Sequence, residues 1–267
     1  MDGSSPAIHP PDLYDQLGTS AAPIVVDIRS TEEIHAIDRL IPGSIVRSSD
    51  RIEEWWRTLP AGRSVVVCDL GGSSASEAVV ATLRRLGTDA CFLSEGFIGW
   101  HERGLPTRRI PNATTARWVT RERPKIDRIA CPWLIRRFID PLAEFIYVPS
   151  DQVLTVAAKL DATPYDVAGV EFTHEGERCS FDAILRAFDL RISALDRLAE
   201  IVRGADTSRH DLAPQCSGLV AISRGLSANF PDDHEMLRHG MVIYDALFTW
   251  CRNQQPATYN SAVNIQA

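Results

Sequence analysis

Cys68 is the residue whose setting most directly suggests chemistry. It ends the apolar run Ser64-Val65-Val66-Val67-Cys68 and is followed by Asp69-Leu70-Gly71-Gly72-Ser73-Ser74, after which a helical pattern begins. A strand, a glycine-rich turn and a helix N-terminus in that order surround the sulfur with backbone N–H groups and the positive end of a helix dipole. Such a cradle is expected to lower the thiol pKa and to hold an anionic persulfide or an oxyanion. Gly71 and Gly72 let the backbone curl closely, and Ser73 and Ser74 add hydroxyl donors. Asp69 opposes the cradle, because an adjacent carboxylate raises a thiol pKa and repels dianions such as thiosulfate. Asp27 and Arg29 end the first strand on the side where parallel sheets place their sites. They support the cysteine loop or, alternatively, tie the strand end to a neighbouring loop.

A second set of polar residues lies inside apolar blocks of the later sequence. Asp127, Glu171, His174, Asp206 and His234 would together suit iron, manganese or zinc held by imidazole and carboxylate. Their spacing matches no His-Glu-x-x-His signature. The plainer readings are that Asp127 pairs with Arg128 or Lys125, that His174 is a hydrogen-bonded turn residue, and that Asp232 or Asp233 caps a helix. Arg128, Arg136 and Arg137 lie on one helical stretch and are candidates for an oxyanion such as chromate or sulfate, or else for a solvated face.

These residues need elements to hold them. In the first 106 residues, short apolar, mostly β-branched runs at 23–28, 43–46 and 64–68 and an apolar run at 90–93 alternate with helical patterns, one starting at Ser30-Thr31-Glu32-Glu33 and one running from Ser74 to Gly87. That alternation predicts a doubly wound α/β sheet. The polar, proline-punctuated stretch 106–116 reads as a linker with the boundary near 112. Beyond it, helices are predicted at 126–139, 151–160, 181–188, 194–202, 213–226 and 232–251, with a strand at Phe145–Val148. The second domain is thus mainly α-helical with a few strands (α+β). Domains are expected at 1–110 and 116–252, with a frayed tail over 253–267.

The whole chain has 267 residues, 45% hydrophobic and 24% charged, with net charge −7, which fits two globular domains. No run is long and apolar enough for a membrane span, and the start of the sequence lacks a secretory pattern, so a cytoplasmic location is expected. The negative charge argues against direct nucleic-acid binding, and there is no basic helix-turn-helix. Lys125 and Lys159 are the only lysines. The six cysteines show no C-x-x-C pair, which disfavours a disulfide framework or a thiolate zinc site.

Several blocks carry family likeness. Val26-Asp27-Ile28-Arg29, Ile41-Pro42-Gly43-Ser44, the Cys68–Ser74 loop, Glu95-Gly96-Phe97-Ile98-Gly99-Trp100 and Gly104-Leu105-Pro106 resemble the rhodanese family in order across residues 8–108. The resemblance implies sulfurtransferase chemistry, with Cys68 as a persulfide carrier and residues 69–74 as the substrate-binding loop. A phosphatase would need an arginine at the loop's end, where Ser74 stands. From about 116 to 252, blocks such as Trp118–Phe138, Val170-Glu171-Phe172-Thr173-His174, Val202–Asp206 and Phe230–His234 resemble the carboxy-terminal domain of the chromate-resistance ChrB family.

Together these readings imply a sulfurtransferase that takes sulfur from a small sulfane-sulfur donor, thiosulfate or a persulfide, and passes it to a thiol acceptor. Asp69 beside the cysteine leads to the expectation of weak activity with thiosulfate or of a different donor such as a low-molecular-weight persulfide. Cys131 and Cys179 are candidate acceptors within the chain. The second domain would bind chromate, another oxyanion or a metal in a stress response. The alternatives are a noncatalytic oxyanion- or metal-binding sensor and a metal-dependent redox enzyme in the second domain.

Overall fold

The computed structural model describes residues 6–72, 74–110 and 116–254. The expected boundary near 112, the side chain of Ser73 and all but the start of the expected tail lie outside the described residues. The first domain comprises β1 (Ala7–Ile8), α1 (Pro10–Gln16), β2 (Ile24–Asp27), α2 (Thr31–Ile37), β3 (Ile45–Val46), α3 (Ile52–Trp55), β4 (Val65–Cys68), α4 (Ser74–Arg85), β5 (Ala90–Leu93) and α5 (Gly96–Glu102). The strands form one parallel sheet in the order β1-β5-β4-β2-β3. Every residue of β2 and β4 is buried, as continuous β-branched runs require when helices cover both faces. Alternation along β4 divides the core. Val65 and Val67 pack with Trp55 of α3 and Val79, Val80 and Leu83 of α4, while Val66 and Cys68 pack with Leu13 of α1 and Phe97 and Trp100 of α5. Helix α2 starts where expected and does so with a capping box: the Ser30 hydroxyl accepts from Glu33 N–H, and the Glu33 carboxylate accepts from Ser30 N–H.

The second domain carries β6 (Arg117–Arg121), α6 (Asp127–Phe138), β7 (Glu144–Val148), α7 (Val153–Leu160), β8 (Thr163–Pro164), α8 (Ser180–Ala187), α9 (Ser193–Asp206), α10 (Cys216–Asn229) and α11 (Asp233–Asn253). It is mainly helical, as expected, but holds a second parallel sheet, β7-β6-β8, rather than an isolated strand. Trp118 faces the large helical core, and the next residue, Val119, faces α7. Pro132 lies inside α6 and has no N–H for the Arg128 carbonyl one turn earlier. The Tyr147 hydroxyl of β7 donates to that carbonyl at 3.4 Å, so the sheet satisfies the bond the helix lacks.

The domains share a packed contact. Gly43 N–H donates to the Phe138 carbonyl at 2.7 Å, Arg109 N–H donates to the Phe188 carbonyl at 2.8 Å, and Arg39 pairs with Asp189 at 2.7 Å. Gly43 has φ +76°, and a Cβ there would stand 2.9 Å from the Arg137 carbonyl oxygen. Gly43→Ala is expected to cost about 1–3 kcal/mol through the left-handed backbone and this collision. Urea unfolding of the full chain checks it; unchanged stability would contradict the packing of the two domains described here.

Candidate functional site

Cys68 stands at the carboxyl end of β4, paired in register with Asp27 of β2, and the Cys68 carbonyl accepts from Ile28 N–H at 2.8 Å. The loop after it is folded onto the start of α5: Phe97 N–H donates to the Asp69 carbonyl and Ile98 N–H to the Leu70 carbonyl, both at 2.9 Å. Gly96 makes this approach possible, because a Cβ there would lie 2.5 Å from the Gly72 nitrogen and 2.7 Å from the Asp69 carbonyl oxygen. Gly72 has φ +71°, which only glycine adopts readily. Leu70 is half-buried and Ser74 is exposed, where it opens α4.

The expectation of a lowered Cys68 pKa is overturned. The side chain is fully buried, and burial is the main cause that pushes the thiol well above its ordinary value. The Asp27 carboxylate adds to this, Arg29 opposes it, and Asp69 adds a smaller push. The Asp69 carboxylate also accepts the Gly72 N–H at 2.5 Å, so a loop amide expected to serve a bound anion is engaged by the loop's own acid. The sulfur donates to the Asp69 carbonyl at 3.3 Å.

Asp27 and Arg29 form a fully buried pair, Nη2 to Oδ2 at 2.6 Å, with Nη2 also donating to the Arg39 carbonyl at 2.8 Å. The guanidinium lies 3.8 Å over the Phe97 ring. The pair thus ties the strand end to the following segment. It also leaves Arg29 Nη1 buried without a hydrogen-bond partner among the described residues.

In the second domain, three of the five expected metal ligands come together. Asp127, His174 and Asp206 place ligand atoms within 4.8 Å of one another. Asp127 belongs to the first turn of α6, and Asp206 is the last residue of α9, which runs beyond the expected end at 202. His174 comes from the segment between β8 and α8. Its Nε2 lies 3.1 Å from Asp206 Oδ2, 3.5 Å from Asp127 Oδ2 and 3.5 Å from Asp166 Oδ1. Ser180, at the start of α8, ties two of the acids: its N–H donates to Asp127 at 2.6 Å and its hydroxyl to Asp166 at 2.8 Å.

Ile126, just before α6, adopts φ +41°, a strained conformation for a β-branched residue. Its N–H donates to the Ser223 hydroxyl and its carbonyl accepts from Tyr244. The strain delivers Asp127 into the interior, where it is only 1% exposed.

Charge in this cluster is shared. The hydrogen bond to Asp127 holds the His174 pKa up at about 9, with burial opposing and the surrounding carboxylates assisting. Burial, then the charges of Asp127 and Asp166, raise the Asp206 pKa to about 7. Burial also raises that of Asp127.

Glu171 and His234 are not part of this cluster. Glu171 is exposed before Phe172, and His234 is exposed beside the Tyr147 ring at 5.5 Å. Asp232 caps α11 through Glu235 N–H, and Asp233 accepts Arg123 N–H. Asp166, which sequence reasoning missed, also pairs with Arg121 at 2.8 Å and Arg128 at 3.2 Å. Nothing in its short turn sequence marked it, since its partners are remote along the chain.

The three arginines expected to act together are separated. Arg128 faces a cleft of about 410 Å³ over the His174 cluster, whereas Arg136 and Arg137 line a larger cleft that also includes Arg63 of the first domain. Arg137 stands about 180° round the helix from Arg128, while Arg136 is about 80° round but more than two turns further along. Arg137 is already paired with Asp245 at 2.8 Å, and Arg136 donates to the Ala143 carbonyl over the Phe145 ring. Cys131 and Cys179 are fully buried with thiol pKa values pushed up chiefly by burial, which removes both as open sulfur acceptors.

A doubly wound parallel sheet with a cysteine loop at a strand's carboxyl end defines the first domain as rhodanese-like, and the family model "Rhodanese-like domain" matches residues 9–103. The model "ChrB, C-terminal domain" matches residues 118–251, half of the chain, and the protein belongs to this ChrB family. Protein ChrB of Cupriavidus metallidurans is 35% identical over 144 residues, which are 53% of this chain and 43% of that protein. The match therefore spans less than half of that relative's length. A rhodanese-related protein from Thermoplasma volcanium is 29% identical, covering 38% of this chain and 95% of that one at a TM-score of 0.34. A rhodanese-like domain protein from Staphylococcus aureus is 26% identical, covering 35% and 89% at a TM-score of 0.32. No helix among the described residues is long and apolar enough to cross a membrane.

Because burial and acid neighbours hold Cys68 protonated, its alkylation by iodoacetamide, followed by peptide mass spectrometry, should be slow near neutral pH. It should rise with pH to beyond 9, the ordinary thiol value here. Asp69→Asn, which keeps an acceptor for Gly72 N–H but removes a charge, should move the profile to lower pH. A plateau below pH 8 in the native chain would contradict the assignment.

Proposed function

We propose that this protein is a sulfur carrier of the chromate-response type, in which Cys68 takes a sulfane sulfur and passes it on, coupled to a ligand-binding ChrB domain. The observation that carries this reading is the position of Cys68: the carboxyl end of the central strand, beside Asp27, beneath a loop anchored on α5. The partnerless Arg29 Nη1 supports it, as a buried cationic donor in the wall of the same site. In the first half-reaction the Cys68 thiolate attacks the outer sulfur of a persulfide, R–S–SH. A new S–S bond forms on Cys68, the donor's S–S bond breaks, and R–S⁻ leaves and takes up a proton. An external thiolate then removes the outer sulfur and returns Cys68 to the thiol. Opening of the loop admits both reactants to a sulfur that is otherwise closed off.

Electrostatics select the donor. Asp27 and Asp69 beside the sulfur disfavour a dianion such as thiosulfate relative to a persulfide of lower charge. The full burial of Cys68 also favours a second reading, a noncatalytic module in a sensor of anions or metals.

Intact mass spectrometry of the full chain after incubation with glutathione persulfide separates the two. The expected result is a gain of one sulfur, lost in Cys68→Ala, with slower transfer from thiosulfate than from the persulfide. No sulfur gain at any pH where the chain is folded would leave the sensor reading in its place. A strong preference for thiosulfate would overturn the donor assignment.

A further inference from the structure

The second domain contains a polar centre that the sulfur chemistry does not use. Asp127 Oδ1 is buried and accepts no hydrogen bond among the described residues, although its partner oxygen lies within 3.5 Å of His174. A carboxylate oxygen left without a donor in the interior is costly unless a cation or proton meets it. The same carboxylate offers a ligand-type oxygen within 4.8 Å of those from His174 and Asp206.

We propose that Asp127, His174 and Asp206 form a divalent transition-metal site whose open coordination positions face the adjoining cleft and take a small anionic ligand.

One imidazole and two carboxylates suit a divalent first-row ion of intermediate hardness, such as manganese, iron or zinc. Three protein ligands leave positions for water or an exogenous group. The surroundings are ordered as an outer shell. Ser180 N–H binds Asp127, the Ser180 hydroxyl binds Asp166, and Asp166 in turn holds Arg121 and Arg128 by ion pairs. Arg203 on α9 forks onto Asp182 of α8 at 2.8 and 2.9 Å, which fixes the helix that ends in Asp206.

The cleft supplies the second half of the inference. Its volume is about 410 Å³, and Arg121, Lys125, Arg128 and Arg224 line it together with His174 and Asp206. Lys125 and Arg224 are exposed, so their charges are available to an incoming anion. Cationic walls beside a metal with open positions favour an anionic ligand over a neutral one of the same size.

The test uses the chelator-treated full chain and Mn²⁺ alone, with free ion measured by electron paramagnetic resonance. About one ion should bind per chain. His174→Ala and Asp206→Asn should each weaken binding by at least ~tenfold, the scale on which even outer-shell losses act. His174 is 40% exposed, so its replacement leaves the core in place; circular dichroism checks that both variants are folded. Glu171→Gln, His234→Ala and Cys68→Ala should bind as the native chain does. Added sulfate should displace metal-bound water and lower the water-proton relaxation of the Mn²⁺ form, with the effect reduced severalfold in Lys125→Ala/Arg224→Ala. Absence of saturable binding, native affinity in both ligand variants, or equal loss in Glu171→Gln would overturn the metal site. Relaxation unchanged by sulfate would overturn the anionic ligand.

Discussion

The second domain is organised by one constraint: a carboxylate taken out of water has to be met by other groups. Asp127 is nearly inaccessible, and elements remote in sequence converge on it. The start of α8 brings the Ser180 N–H, the end of α9 brings Asp206, and the chain after β8 brings Asp166 and His174. A strained Ile126 sets the entry into α6 that points the acid inward. A buried ionisable group is weak evidence for stability, and its burial beside His174 and Asp206 marks the cluster as a candidate functional site. The Pro132 gap in α6 and its repair by Tyr147 lock the same helix to the sheet.

Burial acts in the same sense on Cys68, disfavouring the charged form, so removal from water stores the thiol in its protonated state. The alternation of β4 places the sulfur against α1 and α5, and the loop's own acid occupies an amide that could serve an anion. The first domain therefore holds a buried, protonated thiol beneath its loop. The buried Asp27–Arg29 pair combines two roles that the sequence left as alternatives: it ties the strand end down, and it keeps a guanidinium in the wall of the site.

Strands β2 and β4 were legible because continuous β-branched runs are what a sheet covered on both faces demands, and β5 because Ala90–Leu93 is a short apolar run. The Cys68 loop was legible because strand, glycines and helix start follow without interruption. Strand β8 was not, since Thr163–Pro164 is too short to carry a period, and β6 read as part of a family block rather than as a strand. Asp127, His174 and Asp206 could be suspected as polar residues in apolar blocks, but Glu171 and His234 satisfied the same criterion and face solvent. Asp166 escaped because its role is defined by Arg121, Arg128, His174 and Ser180, which only the tertiary fold assembles. The direction of the Cys68 pKa failed for a related reason: the loop dipole is local and readable, whereas burial against α1 and α5 is not.

The proposed cation site in the ChrB domain is chemically distinct from the thiol of the rhodanese-like domain. Anomalous X-ray scattering from crystals of the full chain grown with Mn²⁺ distinguishes the two centres. A strong peak is expected bounded by Asp127, His174 and Asp206 and open toward Lys125 and Arg224. A peak at Glu171, at His234 or at Cys68, or none inside the Asp127 cluster, would contradict the proposed site.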